Sequence, residues 1–155
     1  MERSNDYFGS TPVTKRLIDL IEANAGALTQ SWMRSVQQDP GTPTYAKYGD
    51  EKELYQRAFR VFRQLGKWIS EDTPREEMKI YWTTLGRQRR KEGFPMSEIV
   101  QSLFLIRRHL WDMVESEGLL DTAYDLYQAM ELHNRVTLFF DRAVFFAACG
   151  HEARD

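Results

Sequence analysis

Arg89 is the side chain whose position most calls for chemistry. It lies in a dense run, Leu85-Gly86-Arg87-Gln88-Arg89-Arg90-Lys91-Glu92-Gly93-Phe94-Pro95. Met78, Trp82, Leu85 and Arg89 nevertheless follow steps of four, three and four residues, which puts the arginine on the apolar face of a helix. A charge there has two readings. Buried, its five donors suit a carboxylate, supplied by a protein Asp or Glu or by an acidic ligand. Alternatively its stem covers apolar surface while its head bends to the helix end and stays hydrated. The first reading makes Arg89, Trp82, Leu85, Ile106 and His133 candidates for lining a ligand pocket.

Other chemistry finds little support. His109 shares a face with Glu98, Ser102, Leu105 and Asp112, which reads as a solvated histidine beside an acid. His133, between Met130 and Thr137, reads as a core or interface residue, and His151 as part of a frayed tail. No HxxxH or ExxH spacing offers a metal pair, so no metal is expected. A nucleophile elbow and phosphate-binding glycine loops are missing, and the single cysteine, Cys149, has no activating base nearby. The acid pairs Glu76-Glu77 and Glu51-Glu53 sit at helix starts, where the helix dipole accounts for them. An enzyme is not expected, and neither is a catalytic residue.

Charge narrows the partners. Lys and Arg number 21 against 23 Asp and Glu, a net charge of -2, so no overall field draws nucleic acid. The basic run at 87–91 with Arg107-Arg108 faintly suggests a helix-turn-helix, but Glu92 and Glu98 interrupt it and a cation-rich helix end explains it. The N-terminus lacks a signal-peptide layout, and the longest apolar stretch, Val136 to Cys149, is broken by Asp141 and Arg142. A cytoplasmic protein without membrane insertion is the expectation.

The elements that must position these residues are helices. Five are predicted: about Thr14 to Gln38, ended by Asp39-Pro40-Gly41; a second capped by Asp50 with Glu53 at the capping-box position; a third opened by Thr73-Pro74 and stopped at Gly93; a fourth from Pro95-Ser97 to about Glu115; and a fifth from Leu119 to Cys149. Residues 1–13 read as a polar tail, 14–149 as one domain, and 150–155 as a tail or a link onward. The fifth helix is apolar nearly all round. Its predicted stripe is Leu126, Met130, His133, Thr137, Phe140, Val144 and Ala147, with Leu138, Phe139, Phe145 and Phe146 crowding beside it. A helix apolar on every side needs cover on every side, so a homodimer seam through Met130, His133, Thr137, Phe140, Val144 and Ala147 is predicted; burial within its own protomer is the alternative.

Trp32 with Asp39-Pro40, Leu65 through Trp68-Ile69, Leu85-Gly86-Arg87 with Glu92-Gly93-Phe94-Pro95, Val100 to Trp111, and Phe139-Phe140-Asp141-Arg142-Ala143 occur in an order and spacing that resemble the N-terminal domains of RsbR-type stress regulators and of some sensor histidine kinases. The resemblance implies an all-α, globin-like bundle without haem or other cofactor, dimerising through its last helices and signalling to a downstream kinase or stressosome-type domain. Gly86, Arg89 and Gly93-Phe94-Pro95 are also similar to the proximal-helix frame of globin-coupled sensors, in which the position of Arg89 holds the iron-ligating histidine. A guanidinium stays protonated and does not replace imidazole there. The expectation is a non-catalytic sensory module whose input alters packing around the third and fourth helices and travels along the fifth. A haem sensor using His109 or His133 and a ligandless adaptor are the rivals, and the chain is either standalone or a fragment of a longer sensor.

Overall fold

The computed structural model describes residues 12–70, 74–118 and 121–153. The described residues form seven helices and no strand: α1 (Pro12–Ala23), α2 (Ala25–Gln38), α3 (Pro43–Ala46), α4 (Glu51–Ser70), α5 (Arg75–Lys91), α6 (Met96–Ser116) and α7 (Ala123–Glu152). The single helix expected over 14–38 is divided at Asn24, whose Nδ2 and backbone N–H both reach the Leu20 carbonyl, at 2.8 and 3.0 Å. A side chain that competes for the helix's own acceptor favours a break. The loop after α2 also holds a short extra helix, α3, opened by Pro43.

The ends follow local chemistry. Asp50 Oδ1 accepts from the Glu53 N–H at 3.0 Å, and Thr122 Oγ1 from the Asp125 N–H at 3.0 Å, so α7 begins four residues later than expected. The Thr73 cap lies outside the described residues. At the end of α5, Gly93 adopts φ 92° and donates to Arg90 O, while Phe94 N donates to Arg89 O at 2.9 Å. This paired closure needs a residue free to enter the left-handed region. It folds Phe94 inward, where it is buried against Tyr45 and Tyr48 at centroid distances of 4.5 and 5.5 Å.

The predicted inward sets of α4 (Leu54, Ala58, Phe62, Leu65, Ile69) and α6 (Ile99, Leu103, Ile106, Leu110) are buried. α2 lies against α4 and α6, α1 against α4, and α5 runs along α7. The last pair approaches unusually closely. A Cβ added to Gly86 would fall on the Ala147 carbonyl oxygen, and one added to Gly150 on that of Thr83, so backbone meets backbone at both points.

This crossing corrects the predicted stripe of the last helix. The face of α7 turned inward carries Leu132, Val136, Phe139, Phe140, Ala143, Phe146, Ala147 and Gly150. Phe140 and Ala147, expected at a dimer seam, are buried within the protomer; Met130 and His133 are exposed, and Thr137 and Val144 are half-buried. A helix apolar all round gives little periodic contrast, so the glycine contact with α5 sets which face turns inward. Tyr127, Met130, Leu138 and Phe145 remain outside.

Candidate functional site

The face of α5 beside its α7 contact borders a cavity of about 340 Å³, half open to solvent, between α5, α4 and α6. Trp82, Leu85 and Arg89 of α5, Leu54, Ala58 and Val61 of α4, and Ile99, Leu103 and Ile106 of α6 line it, with Trp32 and Tyr45 behind. The structure therefore gathers four of the five residues expected at a pocket, Arg89, Trp82, Leu85 and Ile106. His133 is not among them: it is exposed on α7, with its ring 5.6 Å from that of Trp111.

Arg89 is buried, with 8% of its surface exposed. Its Nη1 donates to Glu92 Oε1 at 3.0 Å, one helical turn on. Glu92 is the hub of a wider cluster. Arg57 of α4 donates to both its oxygens at 3.2 and 2.7 Å and also to Glu53 at 2.8 Å. The Tyr48 hydroxyl reaches Glu92 at 3.0 Å and Glu53 at 3.1 Å. Burial by itself would raise the Glu92 pKa, but the Arg57 hydrogen bonds, the charges of Arg89 and Arg57, and the Tyr48 hydroxyl outweigh it and hold the carboxyl below its ordinary value. Burial also opposes the charge on Arg57, and its bonds to Glu92 and Glu53 more than restore it.

The buried neutral polar groups of the cavity are mostly spent. Trp32 Nε1 donates to Ser102 O at 2.9 Å, the Tyr45 hydroxyl to Ser102 Oγ at 3.0 Å, and Ser102 Oγ to Ile99 O at 2.7 Å. Trp82 is the exception: its indole Nε1 is buried with no hydrogen-bond partner. The Trp82 ring also packs against Trp68 and Phe139, at 5.9 and 5.8 Å, which links the cavity wall to α4 and α7.

Sequence reasoning missed several residues here. Arg57 and Glu53 are separated by four positions, a legible ion-pair spacing, but nothing local says that Glu92 completes them. His151 is not part of a frayed tail: its Nε2 donates to Phe94 O at 2.8 Å, and Arg90 donates to the carbonyls of His151 and Ala153 at 2.9 and 3.0 Å. The face of His109 is only partly solvated, with His109 half-buried and Asp112 exposed. Glu98, Ser102 and Leu105 are buried, Glu98 accepts from the Thr44 N–H and hydroxyl at 2.7 and 2.6 Å, and His109 Nε2 shares a 2.7 Å hydrogen bond with Ser35 Oγ. Burial pushes the His109 pKa down, Asp112 opposes this, and Arg108 and Arg34 reinforce it.

Among the described residues no group of three or more His, Cys, Asp or Glu side chains is arranged to hold a metal ion, and no helix is long and apolar enough to cross a membrane. The cavity lining contains no histidine.

No curated protein and no solved structure matches the chain. Residues 26–154 match the family described as the RsbT co-antagonist protein rsbRD N-terminal domain, a span that runs from α2 to beyond the end of α7 and takes in every residue of the cavity and of the glycine crossing. That match covers most of the chain, and the chain belongs to the rsbRD N-terminal domain family, a family of regulatory domains.

Proposed function

We propose that this domain is a non-catalytic, globin-like sensory module, cytoplasmic and dimeric, that reads the state of its cavity and passes it through α7 to a kinase or stressosome-type output. The observation that carries this reading is the double duty of α5. One face, with Trp82, Leu85 and Arg89, lines the cavity; the other meets α7 backbone to backbone at Gly86 and Gly150. A change in cavity packing that shifts α5 has no soft layer of side chains at those points in which to dissipate, so α7 moves with it. The Phe94–His151 hydrogen bond and the Arg90 contacts repeat the link at the end of α7. A catalytic reading finds no support in the charged cluster, whose carboxylates are spent on arginines and a tyrosine. A haem reading lacks an imidazole at the cavity, since His109 bonds to Ser35 and His133 lies on the outside of α7.

The exposed apolar residues Tyr127, Met130, Leu138 and Phe145 supply the dimer seam, displaced around the helix from the predicted one. Sedimentation equilibrium of the full chain and of the Met130→Glu/Phe145→Glu double variant tests the assembly. The parent is expected to be a dimer and the variant a monomer of unchanged helix content. A monomeric parent, or a dimer that survives both charges, contradicts the seam.

A further inference from the structure

Two donors on the α5 wall bear on what fits the cavity. Trp82 Nε1 is a buried N–H with no acceptor, and a native structure rarely leaves one so. Arg89 spends one guanidinium nitrogen, Nη1, on Glu92, and it lines the cavity. Of the other buried polar groups, Tyr45 and Ser102 are already satisfied, by each other and by Ile99, and the exposed Gln56, Thr84 and Gln88 complete the neutral polar lining. Charge points the same way. Arg57, Arg60 and Arg89 border the space together with Glu53, and even with Glu92 behind them the arginines outnumber the acids. Most of the remaining wall is aliphatic and aromatic, and a volume of about 340 Å³ is at the small end for a ligand pocket, roughly 300–1,000 Å³.

Resting on the reading of this cavity as the input site, we propose that it binds a compact aromatic monocarboxylate, with its carboxylate on Arg89 and the Trp82 indole N–H and its ring between the α4 and α6 walls. An acid supplies an acceptor to the orphan indole N–H and to the guanidinium N–H groups not spent on Glu92. A neutral ligand of the same shape would leave the excess of arginine charge around the cavity unmatched. The ring-bearing walls, Trp32, Tyr45, Tyr81 and Trp82, favour a flat ring over a flexible chain, which would also lose more rotational freedom on entry.

The test uses cinnamate, with cinnamyl alcohol and cinnamamide as neutral partners of matched shape, titrated into the ¹⁵N-labelled full chain. The Trp82 indole N–H signal, assigned through Trp82→Phe, is the readout. Cinnamate is expected to move that signal and to bind more tightly than either neutral compound. Arg89→Met should weaken cinnamate by about ten- to a hundredfold and bring it to the level of the alcohol. Should Arg89→Met fail to fold, Trp82→Phe carries the argument, with binding read from the backbone amide signals of α5, because it removes only the orphan donor and a part of the ring and should weaken cinnamate without removing the preference for the acid. An unmoved Trp82 signal up to the solubility limit of cinnamate, or equal binding of acid and alcohol, overturns the assignment. Its failure is separable from that of the sensory reading. If no acid binds but filling the cavity still alters α7, the ligand class is wrong and the relay stands; if cinnamate binds and α7 is indifferent, the relay is wrong and the ligand class stands.

Discussion

The two faces of α5 are built to opposite specifications. Towards α4 and α6 the helix presents large side chains, Trp82, Leu85 and Arg89, around a space they do not fill. Towards α7 it presents Gly86 to the carbonyl of Ala147, and the carbonyl of Thr83 to Gly150, with no room for one more carbon at either point. The hollow side tolerates rearrangement at low cost because contacts there are few and one indole donor is already without a partner. The filled side does not, because close-packed backbone has no rotamers in which to absorb a shift. A helix that is soft on one face and locked on the other is suited to reporting what happens in its cavity to the element it is locked to.

The contrast is most sharply broken at the glycines. Gly86→Ala and Gly150→Ala each place a methyl group on a backbone oxygen, and each is expected to lower unfolding free energy by at least about 3 kcal/mol in chemical denaturation. A loss below about 1 kcal/mol at either position would mean that the two helices separate easily and would remove the basis of the relay.

The next largest effect belongs to the charged cluster beside the cavity. Glu92→Gln leaves Arg57 and Arg89 short of a carboxylate and should cost about 1–3 kcal/mol at neutral pH. The sign of its pH dependence follows from the lowered pKa of Glu92. A carboxyl held below its ordinary value, about 4.3 for glutamate, stabilises fully above that pH and loses its contribution as pH falls through the lower folded value. The stability gap between parent and Glu92→Gln should therefore be constant above about pH 5 and close on acidification below about pH 4.3. A gap that widens in acid would contradict the geometry around Glu92.

The smallest effect is a control for the first. An added Cβ on Gly26 would meet the Tyr55 hydroxyl at 3.6 Å, an ordinary contact. Gly26→Ala should therefore be neutral or gain up to about 1 kcal/mol from helix propensity alone. A loss as large as that of Gly86→Ala would show that glycine replacement, rather than the α5–α7 crossing, sets the cost.

Much of this was legible in the sequence, and what was not has a physical reason. Arg89 among Met78, Trp82 and Leu85 could be read as inward-facing because helix periodicity is local, and Gly93 with Pro95 marked the end of α5 because turn chemistry is local too. The identity of the Arg89 partner was half legible: Glu92 lies three residues away, but its commitment to Arg57 and Tyr48 depends on how α4 lies across α5. The inward face of α7 was misread because residues apolar all round carry no phase. The glycines that set that phase, Gly86 and Gly150, are 64 positions apart and have no side chains to form a pattern. His151 was discounted as part of a tail for the same reason, since its acceptor is the carbonyl of Phe94 at the other end of that crossing.

The central claim is that the cavity and α7 are mechanically one unit, and amide hydrogen exchange in the parent and in Ala58→Leu tests it directly. Ala58 lines the cavity from α4, remote in sequence from both α5 and α7, and the larger side chain fills part of the space. The account predicts that protection changes together along residues 82–93 of α5 and its closing turn and along residues 144–152 of α7. Changes confined to α4 and α6, with α7 exchanging as in the parent, would contradict it.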